Sequence, residues 1–241
     1  MRYMAWRMFK YFAHLFYWRH RKGHGIHSPY LFAFVNQVLF NSKKTRVPAE
    51  ILEEHRNLRS QSSFVKHASV SRKYGALLYR ISHWFRPEMI VELGTGMGIS
   101  TVYLSLGSPG IPLHSIEKDD ERAAQARQFI LRFCQAPLCI HTGEMDEKLE
   151  EILPLVPGRY LAFVDGNHHY DPTVAYVRKL LDMAGEELVI VMDDIYWSKG
   201  MHRAWREIIS WPEVRVSIDL FQMGILLVRQ DLHKRKIKIK F

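Results

Sequence analysis

From Pro87 onward the 241-residue chain alternates short apolar runs with amphipathic stretches, and this alternation restricts the fold more than any other feature. Strands are expected at 89–93, 112–116, 138–141, 160–164 and 188–192. Helical stretches fall between them, notably at 119–134 and 172–183. Such a βαβα order predicts a parallel sheet with helices on both faces. The ending differs. Two strand-like runs, 214–220 and 224–228, are joined only by Phe221, Gln222 and Met223. So short a link cannot hold a crossover helix, so this pair is expected to be an antiparallel hairpin. The expected class is α/β: a Rossmann-like, seven-stranded, mostly parallel sheet finished by that hairpin, preceded by an N-terminal helical extension.

The extension's helices are expected near 3–22, 29–41 and 48–59, and a further helix near 71–85 opens the main domain. In the first, Met4, Met8, Phe12, Leu15 and Phe16 share a face, and Arg7, Lys10, His14 and Arg21 lie on another. Ser28 and Pro29 read as the cap and first turn of the second. The Ser-rich stretch 61–70 reads as a linker, which divides the chain into an extension (1–60) and a main domain (71–241) with a basic tail.

The formal net charge of +9 is uneven. No acid precedes Glu50, and residues 1–49 hold nine bases. The last thirteen residues hold six more against Asp231. The stretch 50–228 has nineteen bases and twenty-four acids, a net of −5. An acidic body argues against a nucleic-acid substrate. A composition 47% hydrophobic and 24% charged is that of a folded chain. No run approaches the roughly 18 apolar residues of a spanning helix, and no signal peptide is evident. Cys134 and Cys139 are expected as reduced, buried thiols of a cytoplasmic protein.

The first strand ends in Glu92-Leu-Gly94-Thr95-Gly96-Met-Gly98, a turn that opens a helix. Glycines there let the backbone turn sharply and approach a ligand. Ligands of open α/β sheets bind at the carboxyl ends of strands. Glu117, nineteen residues beyond Gly98, is placed to accept ribose hydroxyls. A dinucleotide fingerprint needs a small residue at 99, where this chain has Ile99; that argues against an oxidoreductase.

The E-x-G-x-G-x-G spacing resembles the first motif of class I S-adenosylmethionine (SAM) methyltransferases. The resemblance implies that Glu92, Gly94, Thr95, Gly96, Gly98, Ser100, Thr101 and Glu117 bind SAM, with Gly143, Glu144 and Met145 flanking the adenine.

Beyond the fourth strand comes Asp165-Gly-Asn167-His168-His169-Tyr170, and beyond the fifth, Asp193-Asp194. Region 71–229 resembles the catechol and caffeoyl-CoA type O-methyltransferases and the bacterial sugar O-methyltransferases. In metal-dependent relatives an Asp is followed twenty-eight residues later by an Asp-Asp or Asp-Asn pair, the separation of Asp165 from Asp193. The resemblance implies that Asp165, Asp193 and Asp194 hold Mg²⁺ or another divalent ion, and that Asp165 also touches the cofactor. His168 stands where the catechol type has its base, and Asn167 where the sugar type has an acidic one. A helix or loop cap is the other use of Asp193 and Asp194, and contact with the cofactor alone is that of Asp165. The run from Asp193 to Trp205, with residues 23–40, resembles an uncharacterised Bacteroidetes-type group of SAM-dependent methyltransferases. Trp197 and Trp205 are candidates for stacking on an acceptor or for the core.

The expectation is SAM-dependent methyl transfer, to an oxygen of a small-molecule, sugar or lipid-like acceptor. The alternative is a non-catalytic SAM-binding or membrane-associated scaffold, for which Asn167 leaves room. For the aromatic first helix three uses stay open: its own domain or a homodimer partner, the inner membrane face with the protein bound peripherally, or nucleic acid, which is the weakest.

Overall fold

The computed structural model describes residues 2–17, 20, 23–40, 47–61, 69–134 and 137–241. The expected ends of the first two helices, most of the linker, and Arg19, Arg21, Lys22, Lys43, Lys44 and Arg46 lie outside the described residues.

In chain order the helices and strands are α1 (Arg2–Leu15), α2 (Pro29–Phe34, continued by a π-helical turn, Val35–Leu39), α3 (Ala49–Gln61), α4 (Arg72–Phe85), β1 (Met89–Leu93), α5 (Ile99–Gly107), β2 (Leu113–Glu117), α6 (Asp120–Ile130), β3 (Leu138–Thr142), α7 (Met145–Ile152), β4 (Arg159–Val164), α8 (Tyr170–Asp182), β5 (Glu187–Met192), α9 (Lys199–Ile208), β6 (Val216–Asp219), β7 (Gly224–Arg229) and β8 (Arg235–Lys238). They form two units: Gln37–Ile152, and Met1–Asn36 with Leu153–Phe241. This division cuts the chain elsewhere than the linker-based boundary.

In the Gln37–Ile152 unit, β1, β2 and β3 pair in parallel, with Glu92 opposite Ser115. Every residue of β1 is buried, as a strand covered on both faces requires. α4 stops where Arg86 takes a left-handed conformation (φ 51°) just before Pro87, a combination that cannot continue a helix. Gly75 of α4 lies against the ring of Tyr103 in α5; a Cβ there would come within 2.4 Å of it. The hydroxyl of this fully buried Tyr103 is hydrogen-bonded to His55 Nδ1 at 2.9 Å.

In the other unit β4 and β5 are parallel, β7 runs antiparallel to both β5 and β6, and β8 lies parallel to β6. The hairpin stands as expected. Part of the expected basic tail is a further strand, β8. Its Ile237 is buried, as is Ile239 just beyond, between Lys236, Lys238 and Lys240. Two buried isoleucines contribute about 1.5–3 kcal/mol each, enough to order a strand whose other positions are charged.

α1 belongs to this unit too. Trp6 packs on Tyr196 and His202, with ring centroids 6.3 and 5.6 Å away, and His14 Nε2 is hydrogen-bonded to the Ile239 carbonyl at 2.8 Å. The stripe Met4, Met8, Phe12 and Phe16, the expected apolar face, is exposed. Cys134 is buried, but Cys139 is exposed, contrary to expectation; neither forms a disulfide. Among the described residues no helix is long and apolar enough to cross a membrane.

Candidate functional site

The predicted cofactor residues of the Gln37–Ile152 unit gather at the carboxyl ends of β1, β2 and β3. Glu92 is fully buried in β1. Its Oε2 accepts from Thr101 Oγ1 at 2.5 Å and from Ser115 Oγ at 2.7 Å. Its Oε1 is buried with no hydrogen-bond partner among the described residues. Burial pushes this carboxyl up to about 7, against the pull of Ser100, Thr101 and Ser115. A buried acceptor without a donor costs about 1–3 kcal/mol, so the position is built to receive a donor. Thr101, expected with Ser100 to help hold the methionine end, is in this structure a donor to Glu92. Ser115 escaped the sequence reading, although a small hydroxyl opposite a buried acid on an apolar strand was its signal.

The turn itself is in left-handed backbone, with φ of 100°, 55° and 79° at Gly94, Gly96 and Gly98. These glycines do different work. A Cβ on Gly98 would lie 2.7 Å from Ile130 of α6, so this glycine admits a helix. A Cβ on Gly96 would meet nothing within 4 Å. The space over Gly96 is open, as a cradle for a ligand must be. Thr95 is buried, with Oγ1 and Ser115 Oγ 2.6 Å apart.

Glu117, at the end of β2, is buried beside the cradle. Its Oε2 accepts from the Gly96 amide at 2.9 Å; its Oε1 accepts from the Asp119 amide and from Arg122 Nη1, both at 3.2 Å. A carboxylate offers about four acceptor sites, so about one remains for a hydroxyl unless Arg122 yields. The Gly143 amide donates to the Glu117 carbonyl at 3.0 Å, which brings the 143–145 stretch beside this acid. Glu144 is exposed and paired with Lys118 at 2.6 Å, and Met145 opens α7.

The other predicted group lies in the second unit, at the carboxyl ends of β4 and β5. Asp165 Oδ1 is 3.7 Å from His168 Nε2. Asn167, between them, is exposed with φ 52°. Burial holds His168 below its ordinary value, so its imidazole is neutral near pH 7 and able to accept a proton. Asp193 Oδ1 accepts from the Asp194 amide at 2.9 Å. Burial, then the Asp194 charge, pushes the Asp193 carboxyl up to about 8. Asp194 takes a left-handed conformation (φ 51°), and its Oδ1 stands 3.8 Å from Arg7 Nη2 of α1. Arg7 also lies over the ring of Trp197, 5.3 Å from its centroid. Sequence reasoning missed Arg7 as a site residue, since nothing in α1 alone shows where its basic face docks.

The three aspartates do not fit a divalent ion in this arrangement. A hard cation needs several ionised oxygens turned toward one point. Here Asp193 is engaged by the Asp194 amide and by the Asp165 and Gln222 side chains, and Asp194 stands beside a guanidinium. Among the described residues no three His, Cys, Asp or Glu side chains form a metal-holding group. The rest of the Asp193–Trp205 run is largely structural: Ser198 caps α9 by accepting from the Met201 amide, and Met201 and Trp205 are buried. Trp197 is 48% exposed.

Residues 91–195 match a family model described as a methyltransferase domain. No curated protein matches the chain. Several solved structures share its fold. An O-methyltransferase from Bacillus cereus, in complex with SAH, is 20% identical with a TM-score of 0.63 and aligns over 80% of this chain and 96% of its own. The SAH-bound methyltransferase PaMTH1 of Podospora anserina is 16% identical with a TM-score of 0.66, over 79% and 92%. The O-methyltransferase TomG of Streptomyces achromogenes, in complex with SAM, is 19% identical with a TM-score of 0.60, over 80% and 95%.

Proposed function

We propose that this chain, whose residues 91–195 match a methyltransferase-domain model, transfers a methyl group from SAM to an oxygen of a small-molecule acceptor. The observation that carries the reading is the orphaned, buried Oε1 of Glu92 in the same strand–turn–helix unit as the open glycine cradle. Glu92 would receive the cationic methionine portion, Gly96 would let the ligand approach the backbone, Glu117 would accept from the ribose, and Gly143–Met145 would flank the adenine. SAM, when bound, supplies an electrophilic methyl on a positively charged sulfur. The structures to which the chain is similar include O-methyltransferases with SAM or its product bound.

His168 is the base of this reading. Methylation of a hydroxyl forms a carbon–oxygen bond and releases the hydroxyl proton. A neutral imidazole accepts that proton, and Asp165 steadies the imidazolium. No step passes through a divalent ion. Radiolabelled methyl transfer from SAM to a panel of phenols, sugars and lipid headgroups tests the reading. Label is expected in at least one hydroxyl class. SAM binding with no transfer to any of them would favour the non-catalytic scaffold.

A second reading concerns α1. Its docked side uses Trp6, Arg7 and His14, and Met4, Met8, Phe9, Phe12 and Phe16 remain exposed. With no acid before Glu50, this face suits an anionic lipid surface, in which an amphipathic helix lies flat. Flotation with phosphatidylserine vesicles is expected to carry the full chain but not a Phe9→Ser/Phe16→Ser variant. Equal behaviour of the two would end this reading, and a concentration-dependent dimer lost in the variant would assign the face to a second copy.

A further inference from the structure

The rim formed by Asp165, His168, Asp193 and Asp194 lies in the same unit as α1, and α1 is pinned close to it. Trp6 packs on Tyr196, two residues past Asp194, and Tyr196 is itself stacked between His202 and Phe221, with centroids 4.5 and 4.7 Å away. The next residue, Arg7, therefore reaches the rim from a fixed base. Its guanidinium stands 3.8 Å from Asp194 Oδ1 and over the exposed Trp197, whose ring centroid is 6.3 Å from that of His168.

We propose that Arg7 is the cation of this rim: delivered by α1, it fills the electrostatic part that a divalent ion would play, and methyl transfer in this chain needs no such ion. The proposal rests on the methyl-transfer reading for the acceptor but not for the charge arrangement. A guanidinium has five N–H donors in a planar fork. At 3.8 Å its pairing with Asp194 is a Coulomb contact longer than a hydrogen bond. Arg7 thus has donors to offer an acceptor oxygen, and it stabilises the negative charge that grows on that oxygen as His168 removes the proton. The seat is also exclusive. With Arg7 in place, an incoming divalent cation meets a like charge at Asp194. Arg7 is partly exposed, so the contact is a positioning device more than a source of stability.

Mn²⁺ binding to the full chain, followed by electron paramagnetic resonance, tests this without any acceptor. Wild type and R7K, which keep the cation, are expected to take up no Mn²⁺. R7E, which adds a fourth carboxylate to the rim, or R7Q, which only removes the charge, is expected to bind it. Uptake by wild type, or uptake by neither variant, would overturn the proposal. S-adenosylhomocysteine titration of the same samples reports on the cofactor cradle separately, so failure there would strike the methyl-transfer reading and leave the Arg7 result standing. Once an acceptor is known, wild-type transfer is expected to survive EDTA, and R7Q is expected to lose it by about tenfold or more with partial recovery in R7K.

Discussion

The hydroxyl of Thr101, in the first turn of α5, donates to Glu92 Oε2 at 2.5 Å, while the other oxygen of the same carboxylate is buried without a partner. One side of the acid is fixed so that the other can be presented. Thr101→Val keeps the shape and removes the donor. It is expected to destabilise the free protein by about 1–3 kcal/mol and to weaken S-adenosylhomocysteine binding as Glu92 loses its alignment. Thermal unfolding and calorimetry on one sample check both.

Glu92 and Asp193 also set a pH dependence. Their folded carboxyls sit at about 7 and about 8, above the ordinary carboxylate range. The folded chain therefore holds protons that the unfolded chain has released. Their stabilising contribution is complete below the unfolded values near pH 4 and is lost as pH rises through 7 and 8. The ligand-free protein is expected to lose Tm between pH 6 and pH 9, and Glu92→Gln to lose less over this interval. A wild-type loss no greater than that of the variant would contradict this.

The glycines of the turn separate binding from folding. Gly96→Ala places a methyl in open space at φ 55°, with only the left-handed backbone strain of about 1–2 kcal/mol. Its main effect is expected on S-adenosylhomocysteine affinity. Gly98→Ala drives a methyl to 2.7 Å from Ile130 and is expected to lower Tm more than Gly96→Ala does. The reverse order in Tm would refute these assignments.

His168→Ala is expected to reduce methyl transfer by about 10²–10⁴-fold, the usual contribution of a general base, with cofactor affinity unchanged. Because burial holds the imidazole below its ordinary value, the rate at saturating SAM should stay level from pH 8 to pH 7 and fall only at more acid pH. A rate that falls already from pH 8 toward 7 would point to another base.

Much of this was legible in the chain. Apolar runs bounded by turns located β1 to β5, and the three-residue link before Gly224 fixed the antiparallel pairing of β6 and β7. The acid–glycine spacing marked the cradle, because both its backbone conformation and its buried charge demand particular residues. β8 was hidden because lysines alternate with its isoleucines, so a half-buried edge strand reads as a charged tail. α1 misled in a different way. Its periodicity marked two faces, and the one that docks carries Trp6, Arg7 and His14, while Met4, Met8, Phe12 and Phe16 are exposed. Which face docks depends on the Tyr196–His202–Phe221 stack, which is assembled by residues far apart in sequence. The rim was legible as a set of residues but not as geometry, since the left-handed turn at Asp194 directs its carboxylate to Arg7.

The most direct test is calorimetric titration of S-adenosylhomocysteine into the full chain at pH 8, beside Glu92→Gln. The account predicts one site per chain, with the variant weaker by about tenfold or more, the equivalent of about 1.4 kcal/mol. No binding to the wild type, or equal affinity in the variant, would contradict it.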